Sequence, residues 1–138
     1  MLGADTLVVL DGTLLAKPAD PTAAREMLAR LSGRSHEVLT GVVVVEPDGS
    51  IAEGFAATVV TFARWPAAAV DAYVASGEAF DKAGGYGIQG FAGAYVERID
   101  GCFFNVVGLP LSLARRLLGA VPGEPASPTP GRPSKTTT

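Results

Sequence analysis

The chain has 138 residues, 48% of them hydrophobic, which suffices for one ordinary domain with a core and is too few for two. Its 11 Lys and Arg against 14 Asp and Glu leave a net charge of −3, so it has no general attraction for nucleic-acid backbones or anionic membranes. The single cysteine, Cys102, excludes an internal disulfide, no opening resembles a secretory signal, and the longest apolar run, around Val42–Val45, is far short of the ~20 residues of a membrane-spanning helix. The expected compartment is therefore the cytoplasm, with no nucleic-acid or membrane partner.

In chain order, Leu7–Leu10 is an aliphatic run of the buried-strand type, closed by the turn pair Asp11-Gly12. Asp20-Pro21 reads as an N-cap followed by proline at the first helical position; Ala24, Met27, Leu28 and Leu31 form the apolar face, and Gly33 is the stop. Val38–Val45 suits a central strand covered on both faces, turned by Pro47-Asp48-Gly49 into a hairpin with Phe55–Phe62. Trp65-Pro66 opens a second helix through Val70, Tyr73 and Val74 to Gly77. The stretch from Gly77 to Gly93, GEAFDKAGGYGIQGFAG, is too rich in glycine for a regular element and must be a shaped loop. Strand-like segments at Ala94–Ile99 and Cys102–Val107 follow, and Pro110 starts a last helix that Gly119 ends. This order of elements belongs to the α/β or α+β class, with one domain over 1–120 and a disordered Pro/Gly/Ser/Thr tail over 121–138.

Several polar groups interrupt these apolar stretches. Asp5-Thr6 precedes the first strand, where a carboxylate could hold a divalent metal or take a proton from water; a strand-start cap is the alternative. Lys17, fixed in direction by Pro18, could meet a phosphate or simply be solvated. In the glycine loop, backbone N–H groups can approach an anion while Lys82 neutralises charge, and Gln89 offers the donor and acceptor needed to read a base edge. Glu78 and Asp81 either serve a metal or brace the loop. His36 is a candidate base, although no serine or cysteine elbow accompanies it, and a structural hydrogen bond is the simpler role. Cys102 fits a buried inert thiol.

Four motifs in order, GADTLVVLDGTLLAKP, LSGRSHEVLTG, GEAFDKAGGYGIQG and NVVGLPL, make Leu2 to about Leu118 resemble the Maf (septum formation inhibitor) family of nucleotide pyrophosphatases. The resemblance implies a bent mixed sheet with flanking helices, related to inosine triphosphate pyrophosphatases, and a homodimer. It implies hydrolysis of nucleoside triphosphates to the monophosphate and pyrophosphate with a divalent metal, Mg²⁺ or Mn²⁺. By motif, Asp5 matches the catalytic carboxylate beside the metal, and Lys17 and Lys82 match lysines that contact the triphosphate. Thr6 and Gln89 match positions that tune base choice and resemble the branch acting on dTTP and UTP. Ala16 and Ala79 stand where glycine and proline are usual.

The family pattern also opens with a strand, a Ser-x-Ser-Pro-Arg-Arg loop and further helices that have no counterpart before Leu2. Loss of such phosphate and metal contacts implies turnover slower by ~10³ or more, and a bare sheet edge around Leu7–Leu10. Translation from an internal GTG codon at Met1 would account for the gap, and in-frame sequence upstream tests it. The alternative function is a catalytically impaired nucleotide-binding remnant or a division-linked interaction protein.

Overall fold

A computed structural model describes residues 1–119 and the backbone of 133–134. Strands β1 (Leu2–Leu10), β2 (Thr13–Leu15), β3 (Ser35–Val45), β4 (Ile51–Phe62) and β5 (Val96–Asp100) form a sheet in the order β2-β1-β3-β4-β5. Helices α1 (Pro21–Leu31), α2 (Ala67–Ser76), α3 (Phe103–Val107) and α4 (Leu111–Leu118) flank it, an α+β fold. A short β6 (Pro133–Ser134) runs parallel to β4 at Phe55 and Ala56; otherwise the expected tail over 121–138 lies outside the described residues. Among the described residues no helix is long and apolar enough to cross a membrane.

Local chemistry explains most of these elements. Asp11 and Gly12 have φ of 49° and 77°, the two left-handed positions that a two-residue hairpin loop requires, and they bring Thr13–Leu15 back against Val8–Leu10. The Asp20 side chain accepts a 2.8 Å hydrogen bond from the Ala23 N–H at the start of α1, and Ala24, Leu28 and Leu31 are its buried stripe. Gly77 closes α2 in the left-handed conformation.

Four expectations need correction. Cys102–Val107 is helical beyond its first residue, because one turn puts Cys102 and Asn105 on the same side as Thr58. β5 begins only at Val96, after a 3-10 turn at Phe91–Tyr95. β3 alternates buried and exposed along its length, so one face is covered and not two. Finally, Leu7–Leu10 is not a bare edge: β2, unforeseen, pairs with Val8–Leu10, leaving only the preceding part of β1 beyond that pairing.

The chain divides into two compact units, to both of which β1, β3 and β4 contribute residues. The first comprises Met1–Thr6, Leu39–Thr58 and the described residues from Gly101 onward; its core is Val42, Val44, Ala56, Leu113 and Leu117. The second comprises Leu7–Val38 and Val59–Asp100, built on Leu10, Leu28, Leu31, Val60 and an aromatic group of Phe62, Trp65, Tyr73 and Tyr86.

Candidate functional site

In the first unit, Asp5 and Thr6 lie inside β1, not at its start. Strand alternation sends their side chains to opposite faces. The N–H and C=O of Met1 exchange 2.8 Å hydrogen bonds with Val45, and continuing that antiparallel register sets Asp5 opposite Gly41 and Thr6 opposite Thr40. Asp5 is exposed, and at both Gly3 and Gly41 a Cβ would meet nothing within 4 Å, so the backbone around this carboxylate is open to a ligand.

Thr6 faces a buried polar network. Its hydroxyl shares a 2.9 Å hydrogen bond with that of Thr40 and lies 3.4 Å from the Gly108 carbonyl. The Thr40 hydroxyl reaches the Asn105 carbonyl at 3.4 Å. Asn105 Nδ2 donates to the Thr58 hydroxyl at 2.9 Å, which also receives the Cys102 N–H at 3.1 Å. Thr40, Thr58 and Asn105 were not singled out from the sequence, because threonine is an ordinary strand residue and only the register reveals that these meet. Cys102 is buried, as expected of an inert thiol.

In the second unit, Lys17 and Lys82 sit on two loops that are tied together. The Gly84 N–H donates to the Ala16 carbonyl at 3.3 Å, and Gly84 packs so closely on Val8 that a Cβ there would lie 2.9 Å from Cγ1. Next in sequence, Gly85 abuts Pro18, the buried residue after Lys17. Both lysines remain exposed, and Lys82 Nζ has the Asp81 carboxylate at 3.7 Å.

The loop glycines do not offer the anion cradle expected of them. The N–H groups of Gly84, Gly85, Gly90 and Gly93 donate to backbone carbonyls, and that of Gly87 donates to the Tyr73 hydroxyl at 3.0 Å. Their role is close packing. Gln89 is exposed on this loop, between buried Ile88 and Gly90. Glu78 lies within the hydrogen-bonding turn of Ser76 and against Gly90, which fits the bracing role.

His36 takes the structural role. Its Nε2 and the Tyr86 hydroxyl are 2.5 Å apart, and the ring packs against Phe62. Burial lowers its pKa to about 4, and the same burial pushes the Tyr86 phenol well above its ordinary value. Both groups are neutral at pH 7, and they hold the glycine loop against β3.

Among the described residues, no three His, Cys, Asp or Glu side chains gather as a metal-binding set. A hard cation such as Mg²⁺ accepts one or two protein carboxylates when phosphate and water supply the remaining oxygens, and the Asp5 carboxylate is a donor of that chemistry.

A model of the family described as Maf-like protein matches residues 1–121. The dTTP/UTP pyrophosphatase of Moorella thermoacetica is 54% identical over 119 residues, which cover 86% of this chain and 61% of the relative. Those of Syntrophomonas wolfei and Symbiobacterium thermophilum are 51% and 52% identical, over 84% and 86% of this chain and 65% and 60% of their own lengths. The chain thus spans less than two thirds of each of these relatives.

Proposed function

Because the chain belongs to the Maf-like protein family, we propose that it is a nucleoside triphosphate pyrophosphatase, acting on dTTP and UTP to give the monophosphate and pyrophosphate. The observation that carries this reading within the molecule is the tie between the loops of Lys17 and Lys82, two exposed lysines borne on one packed base. A polyphosphate is the ligand such a pair suits, since each compact ammonium offers charge and three donors to phosphate oxygens.

In this reading Asp5 accepts a proton from the attacking water, and the open backbone at Gly3 and Gly41 leaves room for the water and a phosphate. Lys17 and Lys82 stabilise negative charge growing on the bridging and leaving oxygens. Gln89, exposed on its loop, reads the base, and Thr6, turned into the Thr40 network, bears on the choice of base only through that packing. A divalent cation, Mg²⁺ or Mn²⁺, when bound with the substrate at Asp5, would neutralise phosphate charge. The reading includes a cytoplasmic homodimer, and the exposed apolar side chains of Val43, Ile51, Phe103 and Phe104 in the first unit support self-association.

The test is product identity. Protein incubated with dTTP or UTP and Mg²⁺ should release pyrophosphate and the monophosphate, and Asp5→Asn should lower the rate by ~10² or more. Diphosphate plus inorganic phosphate, or equal rates for both proteins, would reject the proposal. A thermal shift by nucleotide with no turnover would favour the alternative, a nucleotide-binding protein without catalysis.

A further inference from the structure

The side chain of Lys82 lies across Gly87. A Cβ built at Gly87 would stand 2.5 Å from Lys82 Cε and 2.8 Å from Cδ, while Nζ is 3.7 Å away. The lysine stem therefore occupies the space that any other residue at 87 would fill. Gly87 does not have a positive φ, so its backbone conformation does not itself call for glycine. What glycine provides at this position is a surface flat enough to receive the Cδ and Cε methylenes of the lysine.

That surface is held from below. The Tyr73 hydroxyl accepts the Gly87 N–H at 3.0 Å, and Tyr73, on α2, is only 1% exposed, its ring packed edge-on against Trp65. Directly after Gly87, Ile88 is buried, and directly before it, Tyr86 is buried against Phe62. Three consecutive residues are thus fixed by the core, the middle one bearing the stem of Lys82, whose side chain is still 46% exposed. The Lys82–Asp81 ion pair, exposed and at 3.7 Å, is too weak to serve as the guide.

We propose that Gly87, anchored by the Tyr73 hydroxyl, is the positioning residue for Lys82: the bare backbone and the buried phenol set the direction in which the ammonium meets a polyphosphate. A lysine that samples its rotamers freely loses that freedom on binding, whereas one already laid along a rigid surface loses less, so the gain is preorganisation. This inference rests on the reading of Lys82 as a polyphosphate ligand.

The test is a double-mutant cycle read by calorimetric binding of inorganic tripolyphosphate, which has no base to confuse the readout. Gly87→Ala meets only the far end of a flexible side chain, so the fold should survive while Lys82 is displaced. The expected result is that Lys82→Met weakens binding about tenfold or more, that Gly87→Ala weakens it about three- to tenfold, and that the double variant is no weaker than Lys82→Met alone. Tyr73→Phe, which keeps the buried ring and loses the anchor, should weaken binding to a lesser degree and only while Lys82 is present. If Lys82→Met matters but Gly87→Ala and Tyr73→Phe bind as the parent does, the positioning role is overturned and the proposed function stands. If the Gly87→Ala loss persists in the Lys82→Met background, Gly87 acts through the loop and not through Lys82, which also overturns it. If Lys82→Met itself changes nothing, the reading of Lys82 falls first.

Discussion

Gly84 is the point at which the two lysine-bearing loops are held to the second unit, and replacing it with alanine combines two separate costs. Its φ of 75° is a left-handed conformation, which costs an L side chain about 1–2 kcal/mol. The new Cβ would also stand 2.9 Å from Val8 Cγ1 and 3.0 Å from Cγ2, and relieving that overlap in a packed strand costs about 1–3 kcal/mol more. Gly77 is the natural control: its φ is 84°, but a Cβ there meets nothing within 4 Å, so Gly77→Ala carries only the first cost. The expected destabilisation is therefore about 2–5 kcal/mol at Gly84 and about 1–2 kcal/mol at Gly77. With a urea slope of roughly 2 kcal/mol per molar, the midpoint should fall by about 1–2.5 M for Gly84→Ala and by about 0.5–1 M for Gly77→Ala. Midpoints that shift equally, with unchanged slopes, would show that the contact with Val8 costs nothing and refute the reasoning.

Three further outcomes follow from particular side chains. His36 has a folded pKa of about 4 against an unfolded value of 6.5, so the unfolded chain takes up the proton first. The stability it confers is complete above pH 6.5 and is lost as pH falls toward 4, a change of about 3 kcal/mol that urea titrations across this range should show and that His36→Gln should flatten. Asp20→Ala removes the cap on the Ala23 N–H and should cost about 1 kcal/mol in thermal unfolding, whereas Asp20→Asn should be close to neutral. Thr58→Val removes the hydroxyl that accepts from the buried Cys102 N–H and from Asn105 Nδ2 and should cost about 1–3 kcal/mol, while Thr58→Ser should retain most of the stability; equal losses would show that the hydroxyl is not what matters.

What the sequence disclosed follows the range of the interactions involved. α1 was legible because its signals are local: Asp20, Pro21 and the apolar stripe all lie within one segment. The hairpin at Asp11-Gly12 was legible as a turn, but its second strand was not, because three residues, Thr-Leu-Leu, carry no period. α3 was misread since its aromatic and β-branched residues favour a strand, and only the distant Thr58 shows why a helical turn forms there. Asp5, Thr6, Lys17, Lys82 and Gln89 are singled out by motifs, which register chemistry without geometry. The Thr6–Thr40 pair depends on strand pairing between residues far apart in the chain, and the laying of Lys82 on Gly87 depends on the packing of the loop onto Tyr73. For the same reason the glycine loop looked like an anion cradle, when its N–H groups are turned inward to Ala16, Tyr73 and its own carbonyls.

The proposed grip of Lys17 and Lys82 on one polyphosphate is tested most directly by calorimetric affinity for dTTP whose α,β-bridging oxygen is replaced by methylene, which reports recognition whatever the rate of turnover. Binding by the parent chain, weakened about tenfold or more by Lys17→Met and again by Lys82→Met at fixed salt, is the expected result. Affinity that neither substitution alters would contradict it.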